Sequence, residues 1–271
     1  MTEPEPDPRL TAELLETALE AARQAGALLR DGRPAGLGVA ATKSSPVDVV
    51  TEMDTASEKL VVELVTARRP DDGLLGEEGA SSPGSSGVRW VVDPLDGTVN
   101  YLYGLPSWGV SIAAELEGRA VVGVVAVPAR DEVFHAVAGG GAYLNGRRIT
   151  CRPAPAPGQA LVGTGFNYVR EVRTHQARVL AGLMPQVRDI RRAGAAAVDL
   201  CDLACGRLDA FYERGLRPWD MAAGVLIARE AGAQAGGRPG REPSGDLAVA
   251  AVPGLLEPLQ ELLEELGAWH D

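Results

Sequence analysis

The stretch WVVDPLDGTVN, residues 90–100, places two aspartates directly after an apolar run. The run Trp90–Val92 predicts the end of a buried strand. The pair Asp93-Pro94 is expected to stop that strand, because proline has no N–H for the sheet ladder and restricts the residue before it. The triplet Asp96-Gly97-Thr98 favours a turn that opens into a helix, with Asp96 as its cap. Carboxylates and free backbone N–H groups therefore meet here, and these suit cations and a phosphate respectively.

The composition is that of a globular protein. The chain has 271 residues, enough for one large domain or two packed halves, and 45% of them are hydrophobic. Its net charge of -11 argues against a nucleic-acid backbone as partner. Cys151, Cys201 and Cys205 lack zinc spacing, no stretch is apolar enough to span a bilayer, and the acidic, proline-rich start does not resemble a signal peptide. We therefore expect a protein of the reducing cytoplasm that binds neither membranes nor nucleic acids.

Helical and strand patterns alternate in the first half, residues 1–150. The apolar spacing predicts helices over Leu10–Leu29 and from Thr55 to about Arg68, the second one capped by Asp54. The glycine-rich segment Gly139–Gly146 is interpreted as structural, because it does not connect a strand to a helix as a dinucleotide loop does. Strands are predicted at Leu74–Gly79, Ser107–Glu115, Ala120–Val127 and Glu132–Ala138.

The proline-rich segment Arg152–Gly158 is interpreted as a linker into a second half, residues 151–271. Together the two halves predict a mixed α/β fold whose sheets and helices form alternating layers. The first half would carry most of the acidic residues discussed below, and the second would supply Asp220 as the N-cap of a helix. Its predicted strands are Leu161–Phe166, Leu208–Glu213 and Leu247–Val252, and its predicted helices are Glu171–Leu183, Gly194–Gly206, Asp220 to about Ala231, and Leu255–Leu266.

Four carboxylates, those of Glu77, Asp93, Asp96 and Asp220, each fall where an apolar element ends. An ordinary turn or helix cap would explain any one of them, but a fold that joins these ends would make all four converge. Two unit charges about 4 Å apart repel by roughly 4 kcal/mol at an effective dielectric near 20, so several such pairs would exceed the stability of a typical domain. The cluster must protonate or bind cations, and all-oxygen ligands favour hard ions such as Mg²⁺ over zinc.

Other catalytic classes find less support in the sequence. His135, His175 and His270 are scattered and show no partner pattern. The chain has neither a Gly-x-Ser-x-Gly elbow nor a phosphate loop that ends in Gly-Lys-Ser/Thr. Nucleophilic serine or cysteine catalysis is therefore not supported.

Three motifs together resemble the inositol monophosphatase family, Mg²⁺-dependent phosphatases related to fructose-1,6-bisphosphatase. They are Glu77-Glu78, the DPLDGTVN segment Asp93–Asn100 and the WDMAAG segment Trp219–Gly224, and they occur in the family's order. The likeness extends from about Lys43 to Gly232. It implies a layered α-β-α-β-α sandwich of the sugar-phosphatase type, a homodimer, and hydrolysis of a small polyol phosphate. It also implies two or three Mg²⁺ ions as cofactors and inhibition by lithium.

The resemblance assigns roles to individual residues. Glu77, Asp93 and the carbonyl of Leu95 would hold the first Mg²⁺, and Asp93, Asp96 and Asp220 the second. Glu77 would also reach a weaker third ion. Thr98, oriented by Asp48, would position the attacking water, so that Glu77, Thr98 and Asp48 are the expected catalytic residues.

The family likeness also implies a substrate site. Phosphate oxygens would contact the backbone N–H groups of Gly97 and Thr98, and Lys43 would lie near the metals. The alcohol part of the substrate would contact Glu213, Asp220 and the backbone around Gly194 and Ala196.

The substrate stays open within the family. Val99-Asn100-Tyr101 resembles the inositol-phosphate enzymes more than the histidinol-phosphate branch. Inositol-1-phosphate is therefore expected before histidinol phosphate, fructose-1,6-bisphosphate or a nucleotide 3′-phosphate. Ala195, Asp199 and the short segment Ala235–Asp246 depart from many relatives on the substrate side. A regulatory protein without activity would be expected to lose a carboxylate, and none is missing.

Overall fold

The computed structural model describes residues 7–34, 36–43 and 49–269. The helices are α1 (Pro8–Asp31), α2 (Glu52–Arg68), α3 (Thr98–Tyr103), α4 (Arg170–Leu183), α5 (Ala196–Ala204), α6 (Pro218–Glu230) and α7 (Leu256–Glu265). The strands of the first half are β1 (Ala41–Thr42), β2 (Val49–Val50), β3 (Gly73–Gly76), β4 (Ser81–Ser82), β5 (Val88–Asp96), β6 (Gly109–Leu116), β7 (Arg119–Val127), β8 (Glu132–Val137), β9 (Gly141–Leu144) and β10 (Arg147–Ile149). The later strands are β11 (Leu161–Thr164), β12 (Asp189–Arg191), β13 (Ala210–Glu213), β14 (Gln234–Gly236) and β15 (Ala248–Ala251).

Most of the strands belong to two sheets. The larger sheet has the order β10-β9-β8-β7-β6-β5-β3-β4, in which β5 to β10 follow one another as an antiparallel meander and β3 runs parallel to β5. The smaller sheet has the order β12-β11-β13-β15-β14 and mixes parallel and antiparallel pairs. Strands β1 and β2 pair separately. Residues 73–149 thus build the larger sheet and residues 161–251 the smaller one.

Buried apolar side chains stack these elements into five layers. Helices α1 and α2 cover one face of the larger sheet, where Leu14 shares a core with Trp90. Helices α5 and α6 cover the other face, where Ile227 shares a core with Val125. They also back the smaller sheet, and α4 and α7 cover its far side with residues such as Leu183. The order α-β-α-β-α confirms the layered fold expected from the sequence.

The opening stretch of sequence continues as a strand beyond the point where it was expected to end. Strand β5 runs through Pro94 to Asp96. Asp93 pairs with Ser111 and Asp96 with Gly109, so β5 holds one residue more than β6 between these pairs. Such a β-bulge tolerates proline, because a bulged residue is not needed in the ladder. The prediction of a strand end at Asp93 was therefore wrong, and the bulge instead turns the strand where its acidic residues lie.

Two helix starts also differ from the prediction. Asp54 and Asp220 are not N-caps but stand at the third residue of α2 and α6. There each carboxylate accepts the backbone N–H of the residue before the helix, Thr51 at 2.8 Å and Arg217 at 2.6 Å. A carboxylate in the first turn satisfies a free N–H and interacts favourably with the helix dipole. Both helices therefore begin about one turn earlier than predicted, and each aspartate lies in the first turn and not before it.

The remaining predicted elements are present with ends shifted by a few residues. The segment Gly139–Gly146 contributes β9 and the turn into β10, where Asn145 and Gly146 both have positive φ. Its interpretation as structural is therefore confirmed. In the described part of the chain, none of the helices has the length and apolar character needed to cross a membrane.

Candidate active site

One cavity brings together nearly all of the site residues expected from the sequence. It opens between the β3–β4 turn, the β5–α3 turn and the starts of α5 and α6. Asp48 lies outside the described residues. The lining residues are Lys43, Glu77, Asp93, Leu95, Asp96, Gly97, Thr98, Gly165, Phe166, Tyr168, Arg192, Gly194, Ala196, Glu213, Leu216 and Asp220. We call Glu77, Asp93, Asp96 and Asp220 the acidic wall, and Phe166, Tyr168, Arg192 and Glu213 the outer wall.

The bulge in β5 places the two aspartates of the central stretch. Asp93 Oδ1 accepts the N–H of Leu95 at 3.0 Å, which closes a tight loop around Pro94. Asp93 is 2% exposed and Asp96 is 8% exposed. Buried carboxylates need such partners, because an unpaired buried charge is costly. The carbonyl oxygen of Leu95 lies 3.1 Å from the hydroxyl oxygen of Thr98, so this carbonyl also lies at the turn.

Asp96 caps a helix, but not the one that follows it. Its Oδ2 accepts the N–H of Ala197 at 2.8 Å and lies 3.4 Å from that of Val198, both in the first turn of α5. Helix α5 itself begins after Ala195, which offers no side-chain cap. The aspartate thus takes the place that the N-cap residue usually fills, and its charge faces the positive end of the helix dipole.

Gly97 is required by the backbone at the start of α3. It has φ of 86° in the left-handed region, and a Cβ there would lie 2.8 Å from the carbonyl oxygen of Ser107. The Asn100 side chain then fixes this turn against the loop before α5, donating to the carbonyls of Ser107 at 2.6 Å and Ala193 at 2.8 Å. The backbone at Gly97–Thr98 and at Gly194, both expected to contact substrate, is therefore held side by side.

The hydroxyl of Thr98 donates to Asp54 Oδ1 at 2.9 Å. Asp54 is 1% exposed, and its other oxygen accepts from the hydroxyl of Thr51 at 2.6 Å. Burial raises the pKa of Asp54, while its hydrogen bonds to Thr51 and Thr98 oppose the shift. Sequence reasoning gave this orienting role to Asp48 and treated Asp54 as a helix cap. The sequence Thr51-x-x-Asp54 was the available signal, but the contact to Thr98 spans 44 residues and no local pattern encodes it.

Lys43 joins the two glutamates of the β3–β4 turn. Its Nζ lies 2.7 Å from Glu77 Oε1 and 2.6 Å from Glu78 Oε1. Burial alone would lower the pKa of Lys43, but the charges and hydrogen bonds of both glutamates outweigh it and raise that pKa. Lys43 thus lies where the sequence placed it and holds Glu77 at the edge of the cavity.

The acidic wall carries more negative charge than its surroundings neutralise. Burial, together with the charges of Glu77, Asp96 and Asp220, raises the pKa of Asp93 well above its ordinary value. Burial also raises the pKa of Asp96 to about 7 and that of Asp220 to about 8, although backbone hydrogen bonds oppose both shifts. The convergence expected from the sequence is therefore present.

The donor chemistry of this wall fits a hard divalent cation. A hydrogen bond between the side chains of Glu77 and Asp93 adds to the rise in the pKa of Asp93. Aspartate, glutamate and carbonyl oxygens are the ligands that Mg²⁺ prefers. Among residues 7–34, 36–43 and 49–269, however, no group of three His, Cys, Asp or Glu side chains is already arranged to hold a metal ion. The acidic wall, together with the carbonyl of Leu95, supplies the types of donor that such a cation prefers.

The outer wall was mostly missed by sequence reasoning. Glu213 was expected there, and Phe166, Tyr168 and Arg192 join it from loops of the second half that carry no motif. Burial and the charges of Asp220 and Asp199 raise the pKa of Glu213 well above its ordinary value, while Arg192 opposes the shift. A second cavity adjoins this wall, shares Glu77, Glu213 and Asp220 with the first one, and reaches Trp219.

Comparison with known proteins supports the resemblance. The chain is 42% identical to a Mycobacterium tuberculosis protein named inositol-1-monophosphatase SuhB, over 97% of each chain. It is 39% identical to an Escherichia coli protein named Nus factor SuhB, over 81% of this chain and 83% of that one. A crystal structure of the extragenic suppressor protein suhB from Bartonella henselae matches with a TM-score of 0.87 and 35% identity, over 93% of this chain and 98% of that one.

The model of the inositol monophosphatase family matches residues 10–266, which include every element that forms the cavity. The chain belongs to the inositol monophosphatase family.

Proposed function

We propose that this protein is a Mg²⁺-dependent phosphatase that hydrolyses a small polyol phosphate, with inositol-1-phosphate as the substrate. The observation that carries the proposal is the acidic wall, where the buried Asp93 and Asp96 and the half-buried Asp220, all with raised pKa values, face Glu77 in one cavity. Such a wall is unfavourable without cations and becomes neutral with two of them. Bound there, such ions would provide an activated water and would neutralise the charge that develops on the leaving oxygen.

The chain's own residues divide the remaining work. Glu77, Asp93, Asp96, Asp220 and the carbonyl of Leu95 would hold two or three ions. Thr98 would orient the attacking water, and Asp54, which accepts its hydroxyl at 2.9 Å, would fix the direction of that hydroxyl. The N–H groups of Gly97 and Thr98 would bind phosphate oxygens at the start of α3. Residues 1–150 would thus carry most of the metal site, and residues 151–271 would add Asp220 and the outer wall.

The choice of inositol-1-phosphate rests on the outer wall and on the relatives. Glu213 offers carboxyl oxygens to ring hydroxyl groups, and the backbone near Gly194 and Ala196 lies beside it in the cavity. The Mycobacterium tuberculosis relative carries inositol-1-monophosphatase in its name. Histidinol phosphate and fructose-1,6-bisphosphate remain the alternatives within the same chemistry. We also expect a cytoplasmic homodimer that lithium inhibits, as the family likeness implies.

A second candidate is a regulatory binding role, with or without catalysis. The name Nus factor, borne by the Escherichia coli relative, favours it. Retention of all four carboxylates favours the phosphatase, because a protein that only binds a partner has no need of a buried acidic cluster.

The proposal is tested by assaying purified protein against a panel of phosphate esters with Mg²⁺ and with EDTA. We expect phosphate release from inositol-1-phosphate that requires Mg²⁺ and exceeds release from histidinol phosphate and fructose-1,6-bisphosphate. Preference for another ester would change the proposed substrate but would still support a Mg²⁺-dependent phosphatase. Equal release with EDTA present, or release from none of the esters, would overturn the proposal.

A further inference from the structure

One face of α2 contacts three segments that border the cavity, namely the start of α3, the bulge of β5 and the β3–β4 turn. Asp54 accepts the hydroxyl of Thr98, and Ser57 Oγ donates to the carbonyl of Pro94 at 2.8 Å. Glu58 accepts from the β3–β4 turn. Residues three and four apart share one helix face, and Asp54, Ser57 and Glu58 are 1%, 0% and 6% exposed. A single rigid element therefore sets the relative positions of these three segments.

Glu58 makes two of these hydrogen bonds. Its Oε2 accepts the N–H of Glu78 at 2.8 Å and its Oε1 accepts the N–H of Ala80 at 2.9 Å, so both carboxylate oxygens bind the turn. A Cβ on Gly76 would lie 2.3 Å from Glu58 Oε2, which shows how closely the end of β3 approaches the carboxylate. Hydrogen bonds from N–H groups to a charged acceptor belong to the stronger class.

We propose that Glu58 is a positioning residue that fixes the β3–β4 turn and thereby sets the affinity of the acidic wall for Mg²⁺. The inference rests on the metal dependence proposed above. Lys43 contacts Glu77 and Glu78 from the cavity side, at 2.7 and 2.6 Å, and Glu58 holds the backbone of the same turn from the α2 side. Without Glu58, the turn loses its attachment to α2, and Glu77 loses its fixed position opposite Asp93.

The test compares Glu58→Gln with the unchanged protein in Mg²⁺ titrations by calorimetry, without substrate. Glutamine keeps one acceptor oxygen but turns an NH₂ group toward a backbone N–H donor. We expect Mg²⁺ affinity to fall about 10- to 100-fold, the usual effect of removing a group that orients a ligand. Amide hydrogen exchange in EDTA should become faster at residues 77–81 and stay unchanged in α1. Saturating Mg²⁺ should restore most of kcat, because Glu58 touches no substrate.

Two further variants complete the design. Glu63→Gln is the matched control, since Glu63 lies on the same helix, is exposed, and pairs loosely with Lys59 at 3.9 Å. It should bind Mg²⁺ as the unchanged protein does. Glu58→Asp keeps both acceptor oxygens and should recover part of the lost affinity. Unaltered Mg²⁺ affinity in Glu58→Gln would overturn the inference while leaving the phosphatase intact, and so would failure of both Glu58 variants to fold. An unchanged protein that binds no Mg²⁺ would instead defeat the proposed function.

Discussion

On the acidic wall of the cavity, Asp93, Asp96 and Asp220 are held by backbone N–H groups, whereas Arg192 and Glu213, the two charged side chains of the outer wall, accept or donate no such bond among the described residues. Asp96 accepts from the first turn of α5, and Asp220 accepts from the residue before α6. On the outer wall, no described hydrogen bond or ion pair restrains the side chains of Arg192 and Glu213. Both walls face the same cavity, yet only one has its charges fixed before a ligand arrives.

In terms of the proposed function, this difference separates the residues that would bind the metal from those that would select the substrate. Ligands of a metal must converge at fixed distances, so their positions are determined by turns, helix starts and a bulge that few sequences can provide. Groups that recognise an alcohol need only reach its hydroxyl groups, and side chains on loops can do so in many ways. Changes on the acidic wall should therefore affect every substrate alike, and changes on the outer wall should alter the ranking of substrates.

The largest effect is expected for Asp96→Asn. The amide oxygen can still accept the N–H of Ala197, but the negative charge is lost from the centre of the wall. We expect kcat to fall by about 10³-fold or more for every phosphate ester, which corresponds to roughly 4 kcal/mol at 1.36 kcal/mol per tenfold change. The measurement is phosphate release at saturating Mg²⁺ from at least two different esters.

Asp71→Asn is the control for that variant, because Asp71 is exposed and does not line the cavity. It should retain full activity. If Asp96→Asn also kept full activity while circular dichroism showed an intact fold, the acidic wall would not be the chemical centre. If Asp96→Asn lost activity towards one ester only, Asp96 would also select the substrate, and the two walls would not have separate roles.

An intermediate effect is expected when metal is removed. Mg²⁺ at about 100 times its Kd should raise the free energy of unfolding by about 2.7 kcal/mol, because a ligand that binds only the folded state stabilises it. In EDTA the acidic wall must take up protons instead. Stability without metal should therefore depend on pH more steeply than stability with Mg²⁺.

The sign of that dependence follows from the raised pKa values. Asp96 and Asp220 titrate near 7 and 8 in the folded chain, against 3.8 as the ordinary value. Between pH 4 and 8 the folded state therefore binds more protons than the unfolded state, and stability falls as pH rises. The lowered pKa of His135 makes stability rise with pH instead, but it is one group against several aspartates. Urea unfolding from pH 5 to 8.5 measures this, and a rise in stability across that window in EDTA would contradict the account.

The sequence predicted the acidic wall better than the contacts behind it. Glu77 and Asp93 follow apolar runs and Asp220 precedes one, so their places at the ends of elements could be inferred from neighbouring residues. The expectation that Pro94 ends the strand was wrong because β5 forms a bulge at this point. The bulge depends on pairing with β6, whose residues lie about 15 positions later in the sequence. Asp96 binds an N–H 101 residues away, and Asp54 binds Thr98 across 44 residues, so neither contact leaves a local trace.

The outer wall was predicted least. Glu213 came from a family likeness, while Arg192, Phe166 and Tyr168 stand in loops whose residues show no periodicity or motif. A side chain that recognises an alcohol obeys no spacing rule, because its position is set by the packing of two sheets rather than by one element. The layers, in contrast, followed from helical and strand periodicity, which is a local property of the sequence.

The smallest effect is expected for Glu213→Gln, and it tests the separation of the two walls most directly. The amide replaces one of two acceptor oxygens with a donor, so one hydrogen bond to a substrate hydroxyl group is lost. At about 1.4 kcal/mol, that loss should raise KM for inositol-1-phosphate about tenfold while kcat stays within about threefold. An ester without ring hydroxyl groups, such as p-nitrophenyl phosphate, should keep its KM, because it has nothing to offer Glu213. If kcat fell equally for both esters, Glu213 would act in the reaction together with the acidic wall. Burial and the charges of nearby aspartates already raise its pKa. Arg192 would then be the charged residue of the outer wall left to select the substrate.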